Sequence, residues 1–176
     1  MLHVAIKNGW VEIVEELIRI GYDLNRPKIN GITPASLAAM HGRIKILQLL
    51  QEKGADLTRT SQSGISPLYL AMKSRKIQIC KYLIDLGMPS YYDENYKRDY
   101  SPIFIAVKQA MISLIEMFID RGDKLEEYTD QQGLTPLTMA ANLGVHEVIN
   151  YLSVRNFNLN SLDPQGYTVL GIYLLK

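Results

Sequence analysis

The sequence predicts an all-α fold, a stack of small units that each supply two short antiparallel helices. Three observations predict it. The first is a period. A Thr/Ser-Pro pair followed by Ala recurs as Thr33-Pro34 with Ala38, Ser66-Pro67 with Ala71, Ser101-Pro102 with Ala106 and Thr135-Pro136 with Ala140, and fades at Thr168-Val169. The steps between starts are 33, 35, 34 and 33 residues. A fixed period of this size marks units too small to bury their own apolar faces, which gain stability by stacking on neighbours. The second is helix punctuation. About twenty residues after each start comes Gly54, Gly87, Gly122 or Asn156, with Gly21 preceding the first. The third is size and apolar content: 176 residues, 47% hydrophobic, suffice for one continuous core.

The elements follow in order. Leu2 to Lys7 and Val11 to Ile20 make a first helix pair without the Thr-Pro start. In the second pair Thr33 is an N-cap and Pro34 sits at the first helical position, where a missing N–H costs nothing. Leu37 and Ala38 continue a short helix whose alanines allow a neighbour to approach closely, and Gly42 breaks it. Ile44, Ile46, Leu47, Leu49 and Leu50 then keep helical spacing as far as Lys53, and Gly54 is the left-handed cap. Pro67 to Lys73 with Ile77 to Leu86, Pro102 to Gln109 with Ile112 to Asp120, and Pro136 to Leu143 with His146 to Val154 repeat the scheme. Thr168 to Lys176 supplies the first helix of a sixth unit.

The run Thr33-Pro34-x-x-Leu37-Ala38-Ala39-x-x-Gly42 with Gly54-Ala55-Asp56 resembles the ankyrin repeat, and Leu2-His3-x-Ala5 carries that family's Leu-His-x-Ala. The resemblance spans the chain as a single array, 1–176: a partial repeat 1–27, repeats 28–60, 61–95, 96–129 and 130–162, and a partial repeat 163–176. It implies an ankyrin-repeat solenoid, right-handed and gently curved, with hairpin-like connectors. Departures from the pattern stand out. Arg75 and Ala110 replace the mid-repeat Gly, and Asn156 replaces a capping Gly. The family's helix-one His survives only as His3, with Ser36, Tyr69, Phe104 and Thr138 elsewhere, so its hydrogen bonds between units are expected to be missing.

The resemblance also implies a concave binding surface made of hairpin tips and one face of the first helices. Carried over by position, the hairpins contribute Ile29, Asn30 and Ile32; Gln62, Ser63 and Ile65; Lys97, Arg98 and Tyr100; Gln131, Gln132 and Leu134; and Pro164, Gln165 and Tyr167. The helices contribute Lys7 and Asn8, Met40 and His41, Lys73 and Ser74, Lys108 and Gln109, and Asn142 and Leu143. Lys7, Lys73 and Lys108 with Lys97 and Arg98 make the middle of this groove basic, suited to an acidic peptide or loop; the plain alternative is solvated helix ends. The longest repeat holds Tyr91, Tyr92, Tyr96 and Tyr100, four of the eleven tyrosines, beside Arg98. Tyrosines next to an Arg are the chemistry of interface anchors. Tyr91 and Tyr92 are expected to cover the stack, and Tyr96 and Tyr100 to make the contacts.

Other chemistry is thin. Net charge is +1, which argues against nucleic acid, although residues 111–176 sum to −4. His3, His41 and His146 lie in different repeats and form no metal-ligand pair; His3 reads as an inter-helix hydrogen-bonder and His41 and His146 as surface residues. Cys80 falls on an apolar helix position with no His to activate it, which reads as a buried inert thiol, and as the only cysteine it excludes an internal disulfide. Trp10 falls at a bend, partly at the surface. Glu12, Glu15, Glu16 and Glu116 read as solvated convex faces. No phosphate loop, nucleophile elbow or His-Glu-x-x-His is present, so neither catalysis, cofactor nor metal is expected. No long apolar run indicates membrane insertion.

The reading is a cytoplasmic, non-catalytic scaffold that binds a protein or peptide. Leu2, Val4 and Ile6 at one end, and Leu170, Ile172 and Leu174 at the other, lack the polar substitutions of capping units. They raise an alternative: a regulatory or targeting domain of a larger enzyme, channel or host-directed effector, with the parent membrane-tethered or secreted. A structural spacer in a larger assembly is the third reading.

Overall fold

Eleven helices form the secondary structure of the residues that the computed structural model describes, 1–28, 31–61, 63–92 and 100–174. Among these residues the sole β feature is an antiparallel bridge between Leu162 and Thr168. The chain divides into two units. Met1–Met88 contains α1 (Leu2–Asn8), α2 (Val11–Arg19), α3 (Pro34–Met40), α4 (Ile44–Glu52), α5 (Pro67–Lys73) and α6 (Ile77–Asp85). Pro89–Lys176 contains α7 (Pro102–Lys108), α8 (Ile112–Asp120), α9 (Pro136–Leu143), α10 (His146–Val154) and α11 (Val169–Leu174).

In the first unit α3 packs between α1 and α5; in the second, α9 packs between α7 and α11. The periodic alanine makes this layer. Ala38, Ala71, Ala106 and Ala140 are each 0% exposed, and Ala5 is at 2%. A side chain of one carbon lets first helices meet closely, and a larger one would overpack the contact. The second helices bury their 3.6-periodic face: Ile46, Leu47 and Leu50 on α4, Ile79, Cys80 and Leu83 on α6, Leu114, Ile115 and Phe118 on α8, and Val148, Ile149 and Leu152 on α10.

The starts of the first helices obey local capping chemistry. The hydroxyls of Thr33, Ser66 and Thr135 accept from the backbone N–H of Ser36 (3.1 Å), Tyr69 (3.0 Å) and Thr138 (3.2 Å), and Pro34, Pro67 and Pro136 occupy the first helical turn. Ser101 differs. Its hydroxyl accepts from Tyr92 N–H at 2.8 Å and makes no bond into α7, so in the longest repeat the cap side chain holds the incoming strand of chain instead. At the positions where the resemblance leads one to expect His, the Ser36 and Thr138 hydroxyls pair with the cap hydroxyls of Thr33 and Thr135, both at 3.1 Å within the same repeat.

The mid-repeat position is left-handed whatever residue occupies it. Gly42 and Gly144 have φ of 72° and 67°, and Arg75 and Ala110 are held at 54° and 52°. Asn156, just after the second helix α10, is left-handed too, at 65°.

The apolar ends differ in part from expectation. Leu2 and Ile6 are buried at 3% and 0%, and Ile172 at 7%, because they face the neighbouring helices. Val4, Leu170 and Leu174 are exposed, with Met1, Trp10, Ile13 and Ile20 beside the first of them in sequence.

Candidate partner-binding surface

Four connectors share one turn. Lys28, Ser61, Asp130 and Asp163 each donate N–H to the carbonyl four residues on, at 2.9 to 3.0 Å, and accept at their own carbonyl from the Gly three residues on. Asp130 and Asp163 strengthen it from within. Asp130 Oδ1 accepts from Gln132 N–H (2.9 Å) and Leu134 N–H (2.8 Å), and Asp163 Oδ1 from Gln165 N–H (3.0 Å) and Tyr167 N–H (2.9 Å). Both carboxylates are buried, at 6% and 7% exposure. A carboxylate that accepts two backbone donors fixes the tip, so Gln131, Gln132, Pro164, Gln165 and Tyr167 stand in solvent on a rigid base. Sequence reading named the tips and missed these two anchors. Their signal was Asp-x-x-Gly, at Asp130 to Gly133 and at Asp163 to Gly166.

In the second unit the structure brings several expected contacts together. Lys108 at the end of α7, Gln132 and Leu134 of one hairpin, Asn142 and Leu143 of α9 and Gln165 of the next hairpin line a cleft of about 410 Å³. Met139, buried at 3%, and Asp130 line it as well.

The tyrosine stretch divides. Tyr91 lies parallel on Tyr128, ring centres 4.3 Å apart, meets Phe104 edge-on at 6.2 Å, and donates its hydroxyl to Thr129 carbonyl at 3.0 Å. It covers the repeat, as does Tyr92, half-buried with its N–H on Ser101. Tyr100 is half-buried. Tyr96, Lys97 and Arg98 lie outside the described residues, as do Ile29, Asn30 and Gln62.

In the first unit Ile32, Met40, His41 and Ile65 are half-buried, while Lys7, Asn8, Lys73 and Ser63 are exposed. Arg43 at the start of α4 reaches back one repeat: its guanidinium donates to Lys7 carbonyl at 3.0 and 3.3 Å and lies against Gly9, where an added Cβ would stand 3.0 Å from it. Lys76 at the start of α6 lies likewise against Gly42, its Cδ 3.1 Å from an added Cβ. His41 sits among these cations. Burial first, then the charges of Lys7, Arg43, Lys28 and Lys76, hold its imidazole below the usual range.

The remaining candidates keep structural roles. Cys80 is fully buried and its thiol is pushed up to about 12 by burial, which removes thiolate character at neutral pH. His3 is only half satisfied: it bonds the backbone of Arg26, its Nε2 is buried without a partner, and burial leads the causes that lower its pKa. Glu116 is more than a solvated carboxylate, since Arg155 bridges it (2.8 Å) to Asp120 (3.4 Å) across α8 and α10, a partly exposed set of small energetic weight. Among the described residues no cluster of three His, Cys, Asp or Glu is placed to hold a metal, and no helix is long and apolar enough to cross a membrane.

Comparison with known proteins matches residues 2–95 to the family model described as ankyrin repeats in three copies, more than half of the chain. Curated proteins give no match. Among solved structures 516 chains match. One is the human ASB11 ankyrin repeat domain, at 22% identity and TM-score 0.72, with 97% of this chain and 90% of that one covered. Another is a chain of the Bd0816 predatory endopeptidase from Bdellovibrio bacteriovorus in complex with immunity protein Bd3460, at 21% identity and TM-score 0.81, covering 99% and 90%. At these identities the likeness speaks for the fold.

Proposed function

This chain belongs to the ankyrin-repeat family, whose members are in general protein–protein interaction modules, and we propose that it is a non-catalytic scaffold binding a protein or peptide. The partner lies along the hairpin tips and first-helix ends, the face expected to be concave. The observation that carries this is the cleft lined by Lys108, Gln132, Leu134 and Asn142: four separately expected contacts converge there, on tips that Asp130 and Asp163 pin from below. The first unit offers Ile32, Met40, His41, Ile65 and Lys73 as further proposed contacts, and Tyr96, Lys97, Arg98, Tyr100, Gln131 and Tyr167 are proposed with those of the second. An interface of standard size takes about 800 Å² from each partner. The proposed setting is cytoplasmic.

The test is affinity capture from native lysate with the full chain, comparing wild type with a Lys108→Glu, Gln132→Ala, Asn142→Ala variant of unchanged helicity. A control carries Gln48→Ala and Lys81→Ala on exposed faces of second helices. A prey lost only with the first variant supports the reading. Loss only with the control moves the surface to the second helices and overturns it.

A second reading, a regulatory or targeting domain of a larger protein, is favoured by the exposed Val4, Leu170 and Leu174, apolar side chains that a further element would cover. Transcript sequencing through the coding region tests it: an adjoining catalytic or membrane-spanning segment supports it, and its absence removes it.

A further inference from the structure

The first unit holds twelve Lys and Arg against seven Asp and Glu, a formal +5, whereas the second holds seven against eleven, a formal −4. The surplus is concentrated. Lys7, Lys28, Arg43 and Lys76 come from four separate segments, and all four act on His41. Among the described residues none of them forms an ion pair with a carboxylate. Arg43 is also held in place, by its two bonds to Lys7 carbonyl.

We propose that this cluster, with Lys73 beside it on α5, is the docking surface for an acidic segment of the protein partner, bound extended with carboxylates three residues apart. The proposal rests on the interaction-module reading and names the chemistry of the partner where it meets the first unit. Its argument is a match of two spacings. Arg43 lies over the turn of the first repeat and Lys76 over the turn of the second, so the cations step once per repeat. Neighbouring helices pack about 8–10 Å apart, and an extended chain of the polyproline II type rises about 3.1 Å per residue with three residues per turn, which keeps every third side chain on one face. Three residues therefore carry a carboxylate from one cation to the next. Nucleic acid fits less well, because the second unit carries eleven Asp and Glu against seven Lys and Arg.

The experiment is a fluorescence anisotropy titration of the full chain with three probes. One is a labelled dodecapeptide with Glu at every third position, another has the same composition with its Glu residues consecutive, and the last is a single-stranded oligonucleotide of equal charge. Arg43→Gln with Lys76→Gln keeps most of each stem; Lys7→Gln with Lys73→Gln is a second pair in which neither side chain has a structural bond. The spaced peptide is expected to bind about tenfold more tightly than the consecutive one, and each double variant to lose about tenfold. Equal affinity for the two peptides, unchanged affinity in both double variants, or tighter binding of the oligonucleotide overturns the proposal. Capture that still depends on Lys108, Gln132 and Asn142 would leave the interaction reading standing while this inference falls.

Discussion

Replacing Ala110 by Gly sets backbone strain against chain entropy at one defined position. Ala110 is held at φ 52°, where the equivalent residue of the next repeat is Gly144 at 67°. An L-residue in the left-handed region costs about 1–2 kcal/mol, which Gly recovers. Against this, Gly adds about 0.4–1 kcal/mol of unfolded-chain entropy. Removing a half-buried methyl costs about half of the ~0.8 kcal/mol assigned to a buried CH₂ group. The net is a stabilisation of about 0.4 kcal/mol, or roughly 1–2 °C in Tm for a chain of this length. The mirror variant decides the matter. A Cβ built on Gly144 meets nothing within 4 Å, so Gly144→Ala pays backbone strain without a clash and should destabilise by about 1 kcal/mol. Urea melts followed by far-UV circular dichroism read both, with the slopes compared to confirm that the same surface unfolds. Should Ala110→Gly destabilise while Gly144→Ala is neutral, the strain argument fails.

Asp130→Ala leaves two backbone donors of a partly buried turn without their acceptor and should cost about 1–2 kcal/mol, with Asp130→Asn milder because one oxygen remains; thermal melts of both check the order. Cys80, its thiol near 12, should resist maleimide at pH 8 until urea unfolds the chain, and native-state labelling at the rate of a free thiol would refute its burial. His3 and His41 have folded pKa values lowered from 6.5, so below about that pH the unfolded chain takes up protons that the folded one refuses. Their stabilising contribution is present above 6.5, is lost as pH falls toward the lowered folded values, and then levels off. The urea midpoint should drop between pH 7.5 and pH 5, less steeply in His41→Gln, and a midpoint that rises on acidification would contradict the sign.

What the sequence made legible was local or strictly periodic. The caps at Thr33 and Thr135 depend on atoms three residues away, and the buried Ala38, Ala71, Ala106 and Ala140 on one repeated spacing. What it hid needed the neighbouring repeat. Leu2 and Ile6 look like an uncovered end until the packing of α1 on α2 and α3 turns them inward. Ser101 reads as another cap, yet the longer connector brings Tyr92 N–H to its hydroxyl first. The family-model match stops at residue 95, shortly before the repeat in which Ser101 no longer caps and Ala110 stands for Gly. Those departures leave the backbone scheme intact, because the stacked Ala106 and Ala140 and the cores around Phe118 and Leu152 impose it. Of the candidate surface, the hairpin turns were legible by position, whereas the reach of Arg43 to Lys7 across 36 residues was not.

That reach separates the turn that each repeat needs from the side chain laid across it. Each repeat needs a left-handed residue to turn from its first helix into its second, and at Gly9 and Gly42 the missing side chain leaves a bare shelf. The residue that starts the next repeat's second helix is the one that lies across the shelf, and it makes no capping bond from its own side chain. Its identity is therefore unconstrained by the helix: along the chain the position holds Trp10, Arg43, Lys76, Met111 and Val145. An aromatic, two cations and two apolar side chains thus occupy one structural slot. Exchanging Lys76 for Met should leave the melting temperature within a degree or two, since a stem of similar length still covers Gly42. The same exchange should weaken binding of the spaced acidic peptide severalfold, because the charge alone is removed. A large loss of stability without a change in affinity would show that the cation serves the fold, and the separation argued from the slot would collapse.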